Sequence, residues 1–324
     1  MDNSDHPYQR LQVPKDAPVI LKATSRKGWG AFASRAIKKG ALIMKEQPLF
    51  TIHKHQDDIK DRDVLAALQR LTPTEKEQFL CLRDKGITLF RFVNQAFAEN
   101  SFALSTDPPI HGAFLIHSRI NHSCIPNAKI PEPGDNAVSS FAVRDIAKGE
   151  EITFCYNTDF QCRTRADRHR ELRFVCECKA CQLGTPFQKA SDMRRLLIRG
   201  SQYLTLGVDL KGEKSAIIID RNLRRVAENL LISLSTRLIY LLLGMALLEE
   251  EGLMDHFQEE RMSPGILQIA GMFATESNMK IAILAVAQET WLEKFCIATK
   301  LYGQADRADR EVSAALRSMH GLTV

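Results

Sequence analysis

The chain has 324 residues, 44 % hydrophobic and 26 % charged, which is the balance of a globular protein with room for two domains of ordinary size and excludes wholesale disorder. Its formal charge of +5 comes from 44 basic against 39 acidic residues, too small a surplus to indicate nucleic-acid binding. The opening Met1-Asp2-Asn3-Ser4-Asp5-His6 has neither the basic start nor the apolar run of a signal peptide, so an intracellular location, nucleus or cytoplasm, is expected.

Residues 16–52 are short apolar runs broken by glycine and proline, as in Lys27-Gly28-Trp29-Gly30-Ala31-Phe32-Ala33 and Lys39-Gly40-Ala41-Leu42-Ile43, and predict short strands with tight turns. From Asp57 to Phe102 the apolar residues Leu65, Leu68, Leu71, Phe79 and Leu82 recur at helical spacing, and Thr72-Pro73-Thr74-Glu75 can start a helix; a helical insertion over about 53–110 is expected. Strand-like runs resume at Ala137 to Val143 and Glu151 to Tyr156, with Asp145-Ile146-Ala147-Lys148-Gly149-Glu150 as the turn between them. Beyond the boundary Gly184-Thr185-Pro186 nearly everything has helical periodicity, including Leu223, Val226, Leu230, Leu234, Ile281, Leu284, Val286, Trp291 and Phe295. The apolar stretch from Leu230 to Leu248 approaches membrane-spanning length. Ser233, Ser235 and Arg237 interrupt it and glutamates follow, so it reads as buried amphipathic helix, with no membrane partner expected.

Eight cysteines in a chain without an export signal read as reduced thiols, and a tight cluster among them reads as metal ligation. Cys176-Glu177-Cys178-Lys179-Ala180-Cys181 can supply three soft ligands of a tetrahedral structural zinc from one turn, and a fourth must come from elsewhere. Cys81, Cys155, Cys162 and Cys296 lack partners at metal spacing and read as structural. The arginines 163, 165, 168 and 170, and later 194, 195 and 199, read as solvated helix faces, since no aromatic residues are interleaved to stack on bases.

Four pieces stand in a telling order: Gly28-Trp29-Gly30, then Arg119-Ile120-Asn121-His122-Ser123-Cys124-Ile125-Pro126-Asn127, then Gly149-Glu150-Glu151-Ile152-Thr153-Phe154-Cys155-Tyr156, then Cys-x-Cys-x-x-Cys. In that order they resemble the SET-domain lysine methyltransferases, nearest to the SMYD-type and fungal Set-like branch whose zinc site follows the SET core. The MYND-type finger of true SMYD proteins is missing, because residues 51–99 contain only Cys81. The resemblance implies an α+β fold. It would comprise a β-rich SET domain with a pseudoknot over residues 16–182, its helical insertion, a post-SET zinc segment at 176–182, and an all-α domain over 186–322. It further implies S-adenosylmethionine as cofactor, contacted by Asn121, His122 and Asn100, with Asn94 a competitor for the role of Asn100. The Gly28-Trp29-Gly30 turn would let backbone approach the cofactor, and Phe174 would pack on the adenine. Cys124 would join Cys176, Cys178 and Cys181 on zinc and so pin the post-SET segment over the cofactor cleft.

By the same resemblance Tyr156 is the residue expected to carry catalysis and to border the cofactor, with Phe102 and Phe154 as tunnel walls. Methyl transfer needs a neutral amine, whereas a free lysine has a pKa of about 10.4. A narrow apolar tunnel and the positive sulfonium both push that value down. The place where many SMYD-like sequences carry a second tunnel tyrosine holds Leu172. Three functions therefore stay in view: methylation of a target lysine on a histone or other protein, a SET scaffold turned to a small-molecule substrate, and a non-catalytic interaction module.

Overall fold

A computed structural model describes residues 6–84, 88–131, 136–211, 217–232, 234–256, 258–260 and 287–302. The expected helical positions Ile281, Leu284 and Val286 lie outside the described residues. The chain divides into two compact units, Met1–Tyr156 and Asn157–Val324.

The first unit opens with a 3-10 turn, Pro7–Arg10, followed by the antiparallel hairpin β1 (Val19–Ala23) and β2 (Trp29–Ala33), paired from Val19 with Ala33 to Ala23 with Trp29. Gly28 closes this hairpin at φ 72°, a left-handed conformation that glycine adopts without steric cost, and its carbonyl accepts from the Thr24 backbone N–H and hydroxyl at 2.6 and 2.8 Å. Strands β3 (Leu42–Glu46) and β4 (Phe50–Ile52) follow, and then the chain turns helical as expected. Helices α1 (Asp61–Leu68), α2 (Pro73–Leu80) and α3 (Val93–Asn100) are short, with the small ladder β5 (Arg83–Asp84) and β6 (Thr88–Leu89) between the last two. The Thr72 hydroxyl accepts from the Glu75 N–H while the Glu75 carboxylate accepts from the Thr72 N–H, the capping box that starts α2. These helices bury Val64, Leu68, Phe79, Ala96 and Phe97 together with Ile52, and leave Leu65 exposed.

Within the span expected to be helical the structure differs at its far end. Residues 101–113 form an antiparallel hairpin, β7 (Ser101–Thr106) and β8 (Pro109–Ala113), which joins β4 in a sheet of order β4-β8-β7. Asp107-Pro108 supplies the turn.

Strands β9 (Asn121–His122), β10 (Ala128–Lys129), β11 (Val138–Ala142) and β12 (Thr153–Phe154) complete the unit; β10, β11 and β3 form one antiparallel sheet, and β12 pairs parallel with β9. Ala31, Ile37, Ile43, Ile116, Ile120, Ile146 and Ile152 form its central core. Inside that unit, Glu46 at the end of β3 accepts the backbone N–H groups of Leu115, Ile116 and His117 at 2.8–2.9 Å and the His117 Nδ1 at 2.8 Å. The other His117 ring nitrogen meets the Ser140 hydroxyl at 3.2 Å. One carboxylate thereby fixes the turn that leads into Asn121.

The second unit is helical: α4 (Arg165–Glu171), α5 (Pro186–Leu206), α6 (Arg221–Glu228), α7 (Leu234–Glu251) and α8 (Trp291–Tyr302). Ile198, Leu238, Ile239, Leu242, Met245 and Trp291 form its core. Leu230 stands between α6 and α7 at φ 55°, which breaks the apolar stretch, and among the described residues no helix is long and apolar enough to cross a membrane.

The expectation of solvated arginines is corrected here. Arg168 and Arg195 are fully buried, Arg163 and Arg199 nearly so, while Arg170 is exposed. Arg195 pairs with Glu251 at 2.9 Å and donates to the Phe160 carbonyl at 2.6 Å; Arg194 meets the same carboxylate at 2.7 Å; Arg199 forks onto Asp209 with two bonds of 2.7 Å. Charge type signals surface only until a matched carboxylate lets guanidinium be buried.

Replacing Glu46 with alanine strands three backbone donors and a buried imidazole, and is expected to lower unfolding stability by about 3 kcal/mol. Urea denaturation followed by circular dichroism measures it, and a loss within experimental error would contradict the role given to this carboxylate.

Candidate functional site

The Asn-His motif is placed by strand pairing. The parallel ladder sets Thr153 opposite Asn121 and Phe154 opposite His122, so the segment ending in Tyr156 runs alongside the motif. Asn127, at the motif's far end and almost wholly buried, stitches the two segments together. Its side-chain amide donates to the Glu151 carbonyl at 2.9 Å and the Glu150 carboxylate at 3.0 Å, and its side-chain oxygen accepts the Thr153 N–H at 2.8 Å.

Tyr156 is held at both ends. Its backbone N–H donates to His122 Nδ1 at 3.1 Å and its hydroxyl donates to the Ile120 carbonyl at 3.2 Å. The residue is 46 % exposed overall, yet the hydroxyl is turned back to the backbone, and burial pushes its pKa up to about 12. It is therefore a neutral phenol at physiological pH. Phe154 lies 4.9 Å from the Tyr156 ring and Phe102 lies 5.9 Å from Phe154, centroid to centroid, so the two expected wall residues and the tyrosine form one aromatic run.

His122 is buried, and its side chain is engaged within the protein. Because Nδ1 accepts the Tyr156 N–H, the ring proton sits on Nε2, which then donates to the Cys124 sulfur at 3.2 Å. Asn121 donates to the Glu151 carboxylate at 2.8 Å, with the Trp29 carbonyl at 3.5 Å, and Glu151 also pairs with Lys27 at 2.9 Å. Gly30 suits this crowding: a Cβ there would lie 3.0 Å from the Asn121 amide nitrogen and 3.1 Å from the Glu151 carboxylate, so those side chains would have to shift by a few tenths of an ångström.

Asn100 is fixed by its amide to the Ala96 carbonyl at 2.9 Å and by its oxygen, which accepts from Arg119 at 2.8 Å. The Arg119 guanidinium lies 5.0 Å over the Tyr8 ring, and Tyr8 in turn meets the edge of Trp29 at 5.8 Å. Arg119 Nε and the Tyr8 hydroxyl are buried with no hydrogen-bond partner among the described residues. Asn94 sits at the start of α3, where its backbone N–H donates to Asp61 at 2.8 Å. The structure thus brings Trp29, Gly30, Asn100, Asn121, His122, Phe102 and Tyr156 into one linked set in the first unit. Phe174 belongs to the second unit and is half-buried there, as is Leu172, the residue that ends α4.

Sequence reasoning missed Glu151 and Arg119 as site residues. Both stand inside motifs already singled out, but a turn glutamate and a flanking arginine carry no local sign of such partners.

Cys124, Cys176, Cys178 and Cys181 offer four sulfur atoms within 4.8 Å of one another. Four Zn–S bonds of about 2.3 Å would place tetrahedral sulfurs about 3.8 Å apart, so the set fits a tetrahedral metal ion after a small contraction. Cys162 behaves otherwise: it is buried, donates to the Gln202 side chain at 3.1 Å, and burial pushes its thiol up to about 12.

Residues 28–157 match the family model described as the SET domain. The chain is 31 % identical over 195 residues to the Schizosaccharomyces pombe protein named histone-lysine N-methyltransferase set5, covering 59 % of this chain and 57 % of that one. It is 42 % identical over 76 residues to the Danio rerio protein named protein-lysine N-trimethyltransferase SMYD5, covering 22 % and 18 %. A putative SET domain-containing protein of Acanthamoeba polyphaga mimivirus, L678, is 25 % identical over 202 residues, covering 52 % and 78 %. The chain therefore spans little more than half of set5 and less than a fifth of SMYD5.

The stitch through Asn127 carries a pH dependence. Burial opposes ionisation of Glu150, but hydrogen bonds from Arg144, the Ala147 N–H and Asn127 outweigh it and hold the carboxyl below its ordinary value of 4.5. A depressed folded-state pKa contributes stability that is complete above 4.5 and is lost as pH falls through the folded value. The substitution Glu150→Gln is expected to flatten the fall in thermal midpoint below about pH 4.5 relative to wild type. Parallel acid limbs in the two proteins would refute this.

Proposed function

We propose, from the match of residues 28–157 to the SET-domain family model, that the protein is an S-adenosylmethionine-dependent protein-lysine N-methyltransferase acting on a histone or another protein. The observation that carries the reading is the setting of Tyr156, a neutral phenol fixed by His122 and Ile120 at the end of an aromatic run. S-adenosylmethionine supplies an electrophilic methyl on a positively charged sulfur. Everything else falls to the chain.

Phe102 and Phe154 give the target amine an apolar approach, which favours its uncharged form. The Tyr156 hydroxyl donates to Ile120 and accepts an N–H of that amine, orienting its lone pair without taking its proton. A phenol pushed up to about 12 is suited to this task and not to that of a base. Gly28, Trp29, Gly30, Asn100, Asn121 and His122 would hold the cofactor, with Phe174 on its adenine. Arg119 Nε and the Tyr8 hydroxyl, beside Asn100 and Trp29 and without a hydrogen-bond partner among the described residues, support the assignment, since a zwitterionic ligand can satisfy such buried polar atoms.

Zinc is the ion proposed for Cys124, Cys176, Cys178 and Cys181, on the chemistry of four thiol donors, three of them buried. Leu172 in place of a second tunnel tyrosine keeps a small-molecule substrate in view.

Isotope-labelled methyl transfer to protein and metabolite extracts, with calorimetric binding of S-adenosylmethionine, tests the proposal. Label is expected in a protein band, reduced about 100-fold by Tyr156→Phe, while Asn121→Ala weakens cofactor binding about 10-fold or more. Label in a small molecule would move the activity to the alternative substrate class, and absence of cofactor binding would overturn it altogether. Purified protein is expected to carry zinc, and Cys124→Ser to lower both its zinc content and its thermal midpoint. A full zinc complement in that variant would remove Cys124 from the ligand set.

A further inference from the structure

We propose that Arg168 is a positioning residue for the metal, the buried counter-charge of a tetrathiolate centre at Cys124, Cys176, Cys178 and Cys181. The proposal rests on the zinc reading above and goes beyond it by saying what makes such a centre tolerable inside the protein.

Four thiolates around a divalent ion carry a net charge of about −2, and three of the four cysteines are buried. A buried anion needs opposite charge or donors close by, or its desolvation works against metal binding. Arg168, on α4, is fully buried, and its Nη2 donates to the Cys181 sulfur at 3.5 Å and to the Ala180 carbonyl at 3.0 Å. Nη1 donates to the Arg163 carbonyl at 2.6 Å and lies 3.7 Å from Asp192. The Arg165 Nε reaches the Cys181 carbonyl at 2.7 Å, so two arginines from one helix grip the Ala180–Cys181 backbone, and one of them also touches the sulfur.

Its neighbours in the unit sharpen the assignment. Arg195 faces Glu251 at 2.9 Å, Arg199 faces Asp209 at 2.7 Å and Arg163 faces Glu171 at 3.2 Å. Arg168 has Asp192 at a longer 3.7 Å, and that aspartate also accepts from the Arg165 N–H and the Gln188 side chain, each at 2.6 Å. Besides this aspartate, the Arg168 guanidinium is directed at a ligand sulfur. His122 Nε2 lies 3.2 Å from the Cys124 sulfur, and Arg168 brings a formal positive charge to the Cys181 sulfur.

The test compares Zn2+ affinity of wild type, Arg168→Gln and Arg168→Lys by competition with a chromophoric chelator, and the thermal midpoint of each protein with and without zinc. Glutamine keeps hydrogen bonding and removes charge; lysine keeps charge and loses the planar fork. Arg168→Gln is expected to weaken zinc binding about 10- to 100-fold and to shrink the zinc-induced rise in midpoint, with Arg168→Lys holding affinity nearer wild type. Equal losses in the two variants would overturn the proposal in favour of a purely geometric grip on the two carbonyls, as would affinity within about twofold of wild type in Arg168→Gln. If Arg168→Gln does not fold, Arg168→Lys decides: affinity within about tenfold of wild type supports the counter-charge, and a loss beyond about 100-fold overturns it. Wild type that binds no zinc would instead be a failure of the metal reading itself.

Discussion

The side chain of Asn127 is the point at which the segment Asn121–Asn127 and the segment Glu150–Tyr156 are held in register, and the geometry around Tyr156 follows from that register. The ladder between β9 and β12 has only two residue pairs, and parallel pairing of that length cannot hold two strands together by itself. Asn127 supplies what the ladder lacks by accepting from Thr153 and donating to Glu150 and Glu151. A buried amide that loses such partners costs about 1–3 kcal/mol for each group left unmet, a large part of the 5–15 kcal/mol typical of a whole domain. Once the two segments are locked, His122 lies beside the Tyr156 backbone and Asn121 beside Glu151.

Polar groups buried for position recur through both units. Glu46 gathers three backbone donors and an imidazole to aim the turn before Asn121, and in the second unit Glu251 gathers Arg194, Arg195 and the Ser191 hydroxyl. Such clusters add little net stability over apolar packing. What they fix is direction, since a carboxylate surrounded by donors tolerates few arrangements of those donors, whereas leucines and isoleucines tolerate many.

Much of this was legible in the sequence because it is written locally. The helix start at Thr72-Pro73-Thr74-Glu75 is a four-residue signal, and it forms the expected cap. The order of glycine turn, Asn-His motif, Tyr156 segment and cysteine cluster pointed to the SET fold that residues 28–157 match. The hairpin at 101–113 was harder, because Leu104 packs with Phe114 and Val138, outside the hairpin, and its sheet partner β4 lies some fifty residues earlier. Arg168 and Arg195 were misjudged for the same reason. Their partners are a cysteine sulfur and a glutamate far along the chain, so nothing adjacent marks those two arginines as different from the exposed Arg170. The side-chain role of His122 also depends on tautomer, which becomes readable only when Tyr156 and Cys124 are in place.

The sheet of β4, β8 and β7 has a further meaning for how such a protein can vary. The helical excursion leaves at the end of β4 and returns at the start of β7, and both strands pair with β8, on its two sides. Exit at Ile52, opposite His111, and entry at Ser101, opposite Ala113, are thus two strand spacings and two residues apart, about 12 Å. The three helices are joined to the sheet at strands that both pair with β8, and a longer, shorter or differently folded module could be seated there while Phe102, at the second residue of β7, kept its place beside Phe154. The chemistry around Tyr156 and the surface beside it are in this sense separately inheritable parts, the first held by the lacing of the motif, the second free to be exchanged.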